Sequence, residues 1–193
     1  VGCASGASTL AICKGRLRAG HGGQTVHVID PGQDLYVSGT GRRTIERAGV
    51  GAMVRLHEAY DHEALPLLLA DGVRAGFVFL DGNHVFDSVM LDLYYAQQML
   101  AAGGVIVLHD LWMPAVQHAA AFWAANLPVE PVSVSDAGLS RAAYSDGGGG
   151  AGDPEQWPAG FGERLAPYVR ATTLVLRATG DDSRRWDHFE AFA

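Results

Sequence analysis

The apolar and polar positions along the chain follow two alternating patterns, one typical of strands and one of helices. Short apolar runs predict six strands, at residues 25–29, 52–57, 76–80, 105–108, 131–134 and 171–178. Helical spacing predicts helices at residues 8–18, 42–48, 64–70, 85–101 and 114–125, the third of them capped by Asp61. Strands that alternate with helices predict an α/β fold: a Rossmann-like, doubly wound, mostly parallel sheet with helices on both faces.

Two of the predicted strands, at residues 76–80 and 105–108, have apolar side chains without alternation. Such runs are typical of strands that are covered on both faces. In open α/β sheets, ligands bind beyond the carboxyl ends of the strands. The residues that follow each strand are therefore the ones to examine for chemistry.

Composition narrows the classes of function. The chain has 193 residues, of which 48% are hydrophobic, and this is enough for one domain with one core. A net charge of −7 predicts neither nucleic acid nor a membrane surface as a partner. Two cysteines, Cys3 and Cys13, do not make a disulfide framework, so we expect a cytoplasmic protein. The glycine- and proline-rich segment 135–166 is expected to be a flexible insertion.

The first strand end carries a glycine turn, Gly2-x-x-x-Gly6-x-Ser8, followed by a helix. Glycines allow a tight turn, and the start of a helix favours a carboxylate or phosphate, although an ordinary strand-to-helix turn has the same pattern. Asp30 ends the next strand, where a carboxylate accepts hydrogen bonds from ribose hydroxyls. Glu58 ends the third strand, either beside the nucleoside or as a solvated acid.

Two pairs of acid and histidine follow the two buried strands. Asp81 and His84 follow the first of these strands, and His109 and Asp110 follow the second. Carboxylates suit Mg²⁺, whereas histidine favours a transition metal. Without a metal, His84 or His109 would remove a proton from an acceptor near neutral pH. Asp92, on the long helix, is expected to face solvent rather than the cleft.

Four segments resemble the class I S-adenosylmethionine-dependent methyltransferases, and in particular methyltransferase family 24, a branch related to the macrocin-type O-methyltransferases. The segments are residues 1–8 (VGCASGAS), 28–31 (VIDP), 77–84 (FVFLDGNH) and 103–110 (GGVIVLHD). The resemblance implies that Gly2, Ser5, Gly6 and Ser8 contact the methionine end of the cofactor. It also implies that Asp30 binds the ribose. Glu58 and Asp81, each directly after a strand, are predicted as further cofactor contacts.

The same resemblance bears on the acid–histidine pairs. Asp81 and Asp110 stand where the macrocin-type relatives have acids that hold Mg²⁺. His109 stands where those relatives have a further acid, so this chain departs from their pattern. Asp81, His84, His109 and Asp110 are the implied catalytic residues.

The resemblance also bears on domain organisation. The family's first strand lies in the middle of the sheet, and this sequence begins at Val1, inside the loop that follows that strand. We therefore expect a single methyltransferase domain over residues 1–193 with its first strand largely missing. We also expect this chain to fold less well than an N-terminally extended one, because neighbouring strands would lack backbone partners.

The predicted function is methyl transfer from S-adenosylmethionine to an oxygen of a small molecule or sugar, with or without Mg²⁺. Two alternatives stay open. One is an NAD-dependent oxidoreductase, which would need a Gly-x-Gly-x-x-Gly loop that this sequence lacks. The other is a binding module that holds the cofactor without turnover.

Overall fold

The computed structural model describes residues 1–133 and 153–191. Its internal contacts divide the chain into two compact units, Val1–Leu67 and Leu68–Ala193. The first is called unit 1 and the second unit 2 below, and each is described by itself. The prediction of one domain over residues 1–193 stays a prediction.

Unit 1 is built around two parallel strands. Val26 lies opposite Val54, and Ile29 lies opposite His57. The β-branched and apolar residues of one sheet face pack with α1 and α3 in a core that includes Cys13, Val28 and Ile45. The elements are α1 (Ala7–Arg18), β1 (Val26–Ile29), α2 (Gln33–Val37), α3 (Thr40–Arg47), a 3₁₀ turn (Gly51–Met53), β2 (Val54–His57) and α4 (Asp61–Ala70), in which the division between the units falls.

Unit 2 contains a four-stranded sheet in the order β3-β4-β6-β5. β3 and β4 are parallel, whereas β6 is antiparallel to both of its neighbours. The residues of β4 from 105 to 108 and those of β6 from 174 to 176 are buried on both faces. The elements are β3 (Ala75–Leu80), α5 (Phe86–Met99), β4 (Leu100–Leu108), α6 (Pro114–Asn126), β5 (Val129–Val132), α7 (Ala159–Arg164) and β6 (Leu174–Ala178), with 3₁₀ turns at Pro154–Gln156 and Ala166–Tyr168.

The predicted fold class is confirmed: the chain is a Rossmann-like α/β protein with parallel strand pairs and intervening helices. The antiparallel direction of β6 is an addition that the apolar pattern could not indicate, because both strand directions bury the same residues. Residues 1–6 are turn and coil. Within residues 1–133 and 153–191, no helix combines the length and the apolar character needed to cross a bilayer.

The flexible insertion at residues 135–166 stays a prediction, and the structure describes its second part. Residues 135–152 of this segment, including the run of four glycines, lie outside the described residues. From Asp153 onward the chain forms a 3₁₀ turn and α7. Phe161 in α7 and Leu165 directly after it are fully buried. Trp157 packs edge-on against Phe161. The spacing of these three residues is helical, a signal that the overall glycine and proline content concealed.

A pair of histidines connects the two strands of unit 1. His27 Nδ1 lies 3.1 Å from His57 Nε2, and the rings stack with centroids 5.3 Å apart. Burial lowers the pKa of both imidazoles, and the charge of Arg55 lowers each further. Both rings are therefore held in the neutral form by the folded state.

This pair predicts an acid-sensitive stability. The folded pKa lies below the unfolded value of about 6.5, so the stabilisation is fully present above that pH. We expect the free energy of unfolding to fall as the pH drops below about 6.5 and through the lower folded pKa. Denaturant unfolding across this range measures the slope. Replacement of His27 by glutamine should flatten it, whereas replacement of the exposed His62 should not, and equal slopes in both variants would contradict the prediction.

Candidate functional site

The glycine turn of unit 1 has the backbone conformation that glycine favours. Gly2 and Gly6 have φ values of 83° and 87°, and Ala4, between them, has 44°. The turn is closed by a hydrogen bond from Gly6 N to Cys3 O (2.7 Å) and tied to β1 by one from Gly2 N to Ile29 O (2.9 Å). The sequence forms this tight turn because two of its five positions carry no Cβ.

The predicted cofactor residues Gly2, Ser5, Gly6 and Ser8 all lie in this turn or in the first turn of α1. Gly6 is the N-cap of α1 and offers no side chain to the helix. The first backbone N–H groups of α1 therefore present the positive end of the helix dipole without a side-chain partner. This arrangement suits a carboxylate, such as that of a bound amino acid.

Asp30 lies directly after β1 and binds the glycine turn. Its Oδ2 accepts hydrogen bonds from Cys3 N (2.9 Å) and Ala4 N (2.8 Å), and its Oδ1 accepts one from Gly32 N (2.8 Å). Burial alone would raise the pKa of Asp30, but these hydrogen bonds together outweigh it and lower the pKa. Asp30 is thus an ionised tether of the turn, and ribose binding by Asp30 stays a prediction.

Two residues that the sequence analysis missed hold the same turn from α2 and α3. Gln33 is fully buried, donates from Nε2 to Ala4 O (3.0 Å) and accepts at Oε1 from Arg42 N (3.2 Å). A Cβ on Gly41 would lie 2.5 Å from Ala4 O, so glycine is required there. No periodic signal marks either residue, because each acts through a contact distant in sequence.

Glu58 follows β2 and forms an exposed ion pair. Its Oε1 lies 2.6 Å from Arg42 Nη2, and Asp34 lies 3.5 Å from the same nitrogen. This ion pair favours the interpretation of Glu58 as a solvated acid. A contact of Glu58 with the cofactor stays a prediction.

In unit 2, four predicted side chains meet at one edge of the sheet. Leu80 and Leu108 lie opposite each other in parallel strands, so the residues that follow them leave the sheet side by side. His84 Nε2 lies 3.0 Å from Asp110 Oδ2 and 3.5 Å from Asp81 Oδ1. His109 Nδ1 lies 3.3 Å from Asp81 Oδ1 and 3.2 Å from Asp110 Oδ1. These four residues are called the acid–histidine cluster below.

The polar atoms of this cluster are close together but imperfectly paired. His84 Nε2 and His109 Nδ1 are both buried and make no hydrogen bond of acceptable geometry with the nearby carboxylates. The Asp81 carboxylate is the main cause of a raised pKa at His109; burial opposes it and Asp110 adds to it. The two carboxylates therefore favour the positively charged form of the His109 imidazole.

Asp110 is held by its neighbours in a left-handed backbone conformation, with φ 57°. Trp112 Nε1 donates a hydrogen bond to Asp110 Oδ1 (3.0 Å), and Met113 N donates one to Asp110 O (2.9 Å). Aspartate tolerates this conformation better than most residues. The turn directs the carboxylate of Asp110 toward the two histidines.

Thr172 is a third residue that the sequence analysis missed. Its φ of 64° is unusual for a β-branched residue. Its Oγ1 lies 3.4 Å from His109 Nε2, and its carbonyl accepts a hydrogen bond from Leu111 N (2.9 Å). Thr172 therefore fixes the side of His109 that faces away from the carboxylates.

The expectation that Asp92 faces solvent is wrong. Asp92 is 2% exposed, on the inner face of α5 with Val89, Leu93 and Ala96. The spacing of these apolar residues places position 92 on their side of the helix, a signal that its charge obscured.

The acid–histidine cluster has the donor set of a metal site. One ligand atom from each of Asp81, His84 and Asp110 lies within 4.8 Å of the other two. The buried imidazole nitrogen of His84, which lacks a hydrogen bond, fits a cation that accepts its lone pair. The residues present therefore fit a divalent cation.

The chain is similar to known methyltransferases. A family model described as a methyltransferase domain, methyltransferase family 24, matches residues 1–111. A solved structure, a methyltransferase homologue from Pyrococcus horikoshii, is 18% identical with a TM-score of 0.48, and the match covers 80% of this chain. The chain spans about half (53%) of the length of that protein. No curated protein matches.

Proposed function

Since the match over residues 1–111 shows that the chain belongs to methyltransferase family 24, we propose that it transfers the methyl group of S-adenosylmethionine to an oxygen of a small-molecule acceptor. The observation that carries the choice of oxygen is the acid–histidine cluster. A hydroxyl must lose its proton as it is methylated, and this cluster combines carboxylates and imidazoles at one edge of the sheet.

The turn of unit 1 supports a role in binding the methyl donor. Its uncapped helix start suits the carboxylate of the methionine moiety. Asp30 and Gln33 hold the turn in place before any ligand arrives. A preorganised turn lowers the entropic cost of binding, because the turn does not have to be ordered by the ligand.

The cluster of unit 2 supports a role at the acceptor. His84 or His109 would accept the proton that the acceptor hydroxyl releases, with His109 as the base where His84 holds a metal, and the nearby carboxylates would stabilise the resulting imidazolium. If a divalent cation is bound by Asp81 and Asp110, it supplies a charge that lowers the pKa of the acceptor hydroxyl. The acceptor oxygen then attacks the methyl carbon in line with the departing sulfur, helped chiefly by proximity and orientation.

Partners and location follow as part of the same proposal. We infer a small-molecule acceptor, a cytoplasmic location, and no partnership with nucleic acid or membranes. The net charge of −7 supports the absence of nucleic-acid and membrane partners, because a negatively charged protein is repelled by nucleic acid and by anionic lipid surfaces.

Calorimetry with separate nucleotides tests the proposal. We expect S-adenosylmethionine to bind in a one-to-one ratio and NAD to give no heat, because the turn lacks the spacing that holds a pyrophosphate. Mixing the loaded protein with a panel of hydroxyl-bearing acceptors and a radiolabelled methyl donor then measures transfer. Binding of NAD in place of S-adenosylmethionine would reject the proposal. Binding without transfer to any acceptor would favour the non-catalytic binding module.

A further inference from the structure

We propose that the acid–histidine cluster binds a first-row transition dication through Asp81, His84 and Asp110, with His84 as a direct ligand. This inference rests on the proposed function for its location and names the cation class that the site selects. It differs from a magnesium site of acids alone because an imidazole nitrogen takes one of the ligand positions.

The spacing of the ligand atoms supports binding of one cation by all three side chains. Ligands that each lie about 2.1 Å from a metal, at angles of about 90–109°, are about 3.0–3.4 Å apart. His84 Nε2 lies 3.0 Å from Asp110 Oδ2 and 3.5 Å from Asp81 Oδ1. The two distances from His84 are close to this range, and all three ligand atoms lie within 4.8 Å of one another.

The hydrogen bonds around His84 and Asp110 also support a bound cation. His84 Nε2 is buried against two carboxylates, at distances that would allow a hydrogen bond, and yet makes none of acceptable geometry. A buried polar atom without a partner is costly, so such atoms usually have a ligand or water that completes them. Asp110 presents Oδ2 to His84, while its Oδ1 is taken by Trp112 Nε1. The indole thus orients the carboxylate from outside, as outer-shell partners of metal ligands do.

Ligand chemistry selects the cation class. Mg²⁺ prefers oxygen ligands and retains several waters, whereas imidazole favours ions from the middle to the end of the first transition row. The three side chains are between 20% and 30% exposed, so the site is partly open. Three protein ligands with an open side are the pattern of a catalytic metal site rather than a closed structural one.

Calorimetric titration of the full chain with Co²⁺ and, separately, Mg²⁺ tests the proposal without any activity measurement. We expect one Co²⁺ per chain, bound about tenfold or more tightly than Mg²⁺. His84→Ala should weaken Co²⁺ binding by about 10–100-fold and leave Mg²⁺ binding nearly unchanged. His62→Ala, at an exposed histidine outside the cluster, is the matched control and should change neither.

Proton NMR of the Co²⁺-loaded chain supplies a direct readout of ligation. A coordinated imidazole gives a strongly shifted, exchangeable N–H resonance, which should be present in the natural chain and in His62→Ala and absent from His84→Ala. His84→Asn, which keeps a polar side chain of smaller size, guards against loss of folding and should also lack the resonance. Unchanged Co²⁺ affinity in both His84 variants, a retained resonance, or equal affinity for Mg²⁺ and Co²⁺ would overturn the proposal.

The same sample separates this inference from the proposed function. Binding of S-adenosylmethionine with no role for His84 in Co²⁺ binding would remove only the metal assignment. Co²⁺ binding through His84 with no binding of S-adenosylmethionine would remove only the methyltransferase proposal.

Discussion

Replacing Asp110 by asparagine is expected to lower methyl transfer by about 10²–10⁴-fold, the range that loss of a group acting in proton transfer produces. Asparagine keeps the shape of the side chain and tolerates the left-handed conformation at φ 57°. Its oxygen can still accept the hydrogen bond from Trp112 Nε1. The variant therefore removes the charge that faces His84 and leaves the turn intact.

Asp81 gives the companion variants to this prediction. Asp81→Ala and Asp110→Ala should likewise abolish turnover while binding of S-adenosylmethionine stays measurable by calorimetry. The alanine at position 110 should also cost about 1–2 kcal/mol of stability, because it has no polar side chain to support the left-handed backbone. A turnover assay beside a melting curve separates the two effects.

The exposed Asp87, in the first turn of α5, is the matched control for lost negative charge. Asp87→Asn should leave turnover unchanged and cost no more than about 1 kcal/mol of stability through the helix dipole. Normal turnover in the Asp81 and Asp110 variants would remove the cluster from the proposed chemistry.

How far the sequence predicts this cluster depends on the strands that carry it. Unbroken apolar runs end at Leu80 and Leu108, and parallel pairing of such strands brings whatever follows them to one edge. The meeting of Asp81 with His109 is therefore predictable from local pattern and one rule of topology. The strand directions of β5 and β6 are not, since their apolar residues are compatible with either direction.

Contacts between distant segments mark the limit of prediction from sequence. Thr172 lies 63 positions from His109, and Gln33 lies 29 positions from the Ala4 carbonyl that it binds. Neither residue belongs to a periodic pattern, and each matters because of the backbone shape that surrounds it. The partner of Glu58 was unpredictable for a similar reason: exposed acids pair with whichever cation the loops bring near, here Arg42.

The burial of Asp92 shows a different kind of error. Its charge outweighed the helical spacing of its apolar neighbours in α5, and the same spacing marks buried residues within 153–166. Phe161 and Leu165 lie four positions apart and are fully buried. Spacing therefore predicted burial in these two segments better than composition did.

Replacing Asp30 by alanine is expected to lower the free energy of unfolding by about 3 kcal/mol or more, because three backbone N–H groups lose a charged acceptor. Two of those donors, on Cys3 and Gly32, belong to buried residues. Asp30→Asn should have an intermediate effect. The single side-chain oxygen of asparagine can accept hydrogen bonds either from Cys3 N and Ala4 N or from Gly32 N. Its amide group, itself a donor, would then face the remaining backbone N–H. Denaturant unfolding at pH 7 measures both losses.

The lowered pKa of Asp30 sets the sign of a pH test of the same tether. The stabilisation is present above the unfolded pKa of about 3.9 and is lost as the pH falls through the lower folded pKa. The difference in stability between the natural chain and Asp30→Asn should therefore be constant near neutrality and shrink only below about pH 4.

Affinity for S-adenosylmethionine should fall in both Asp30 variants, because the turn that they loosen is the one proposed to hold the methionine moiety. Asp34→Asn, at an exposed acid that contacts Arg42, should cost no more than about 1 kcal/mol and serves as the control. Unchanged stability and unchanged affinity in Asp30→Ala would show that the turn keeps its shape without the tether.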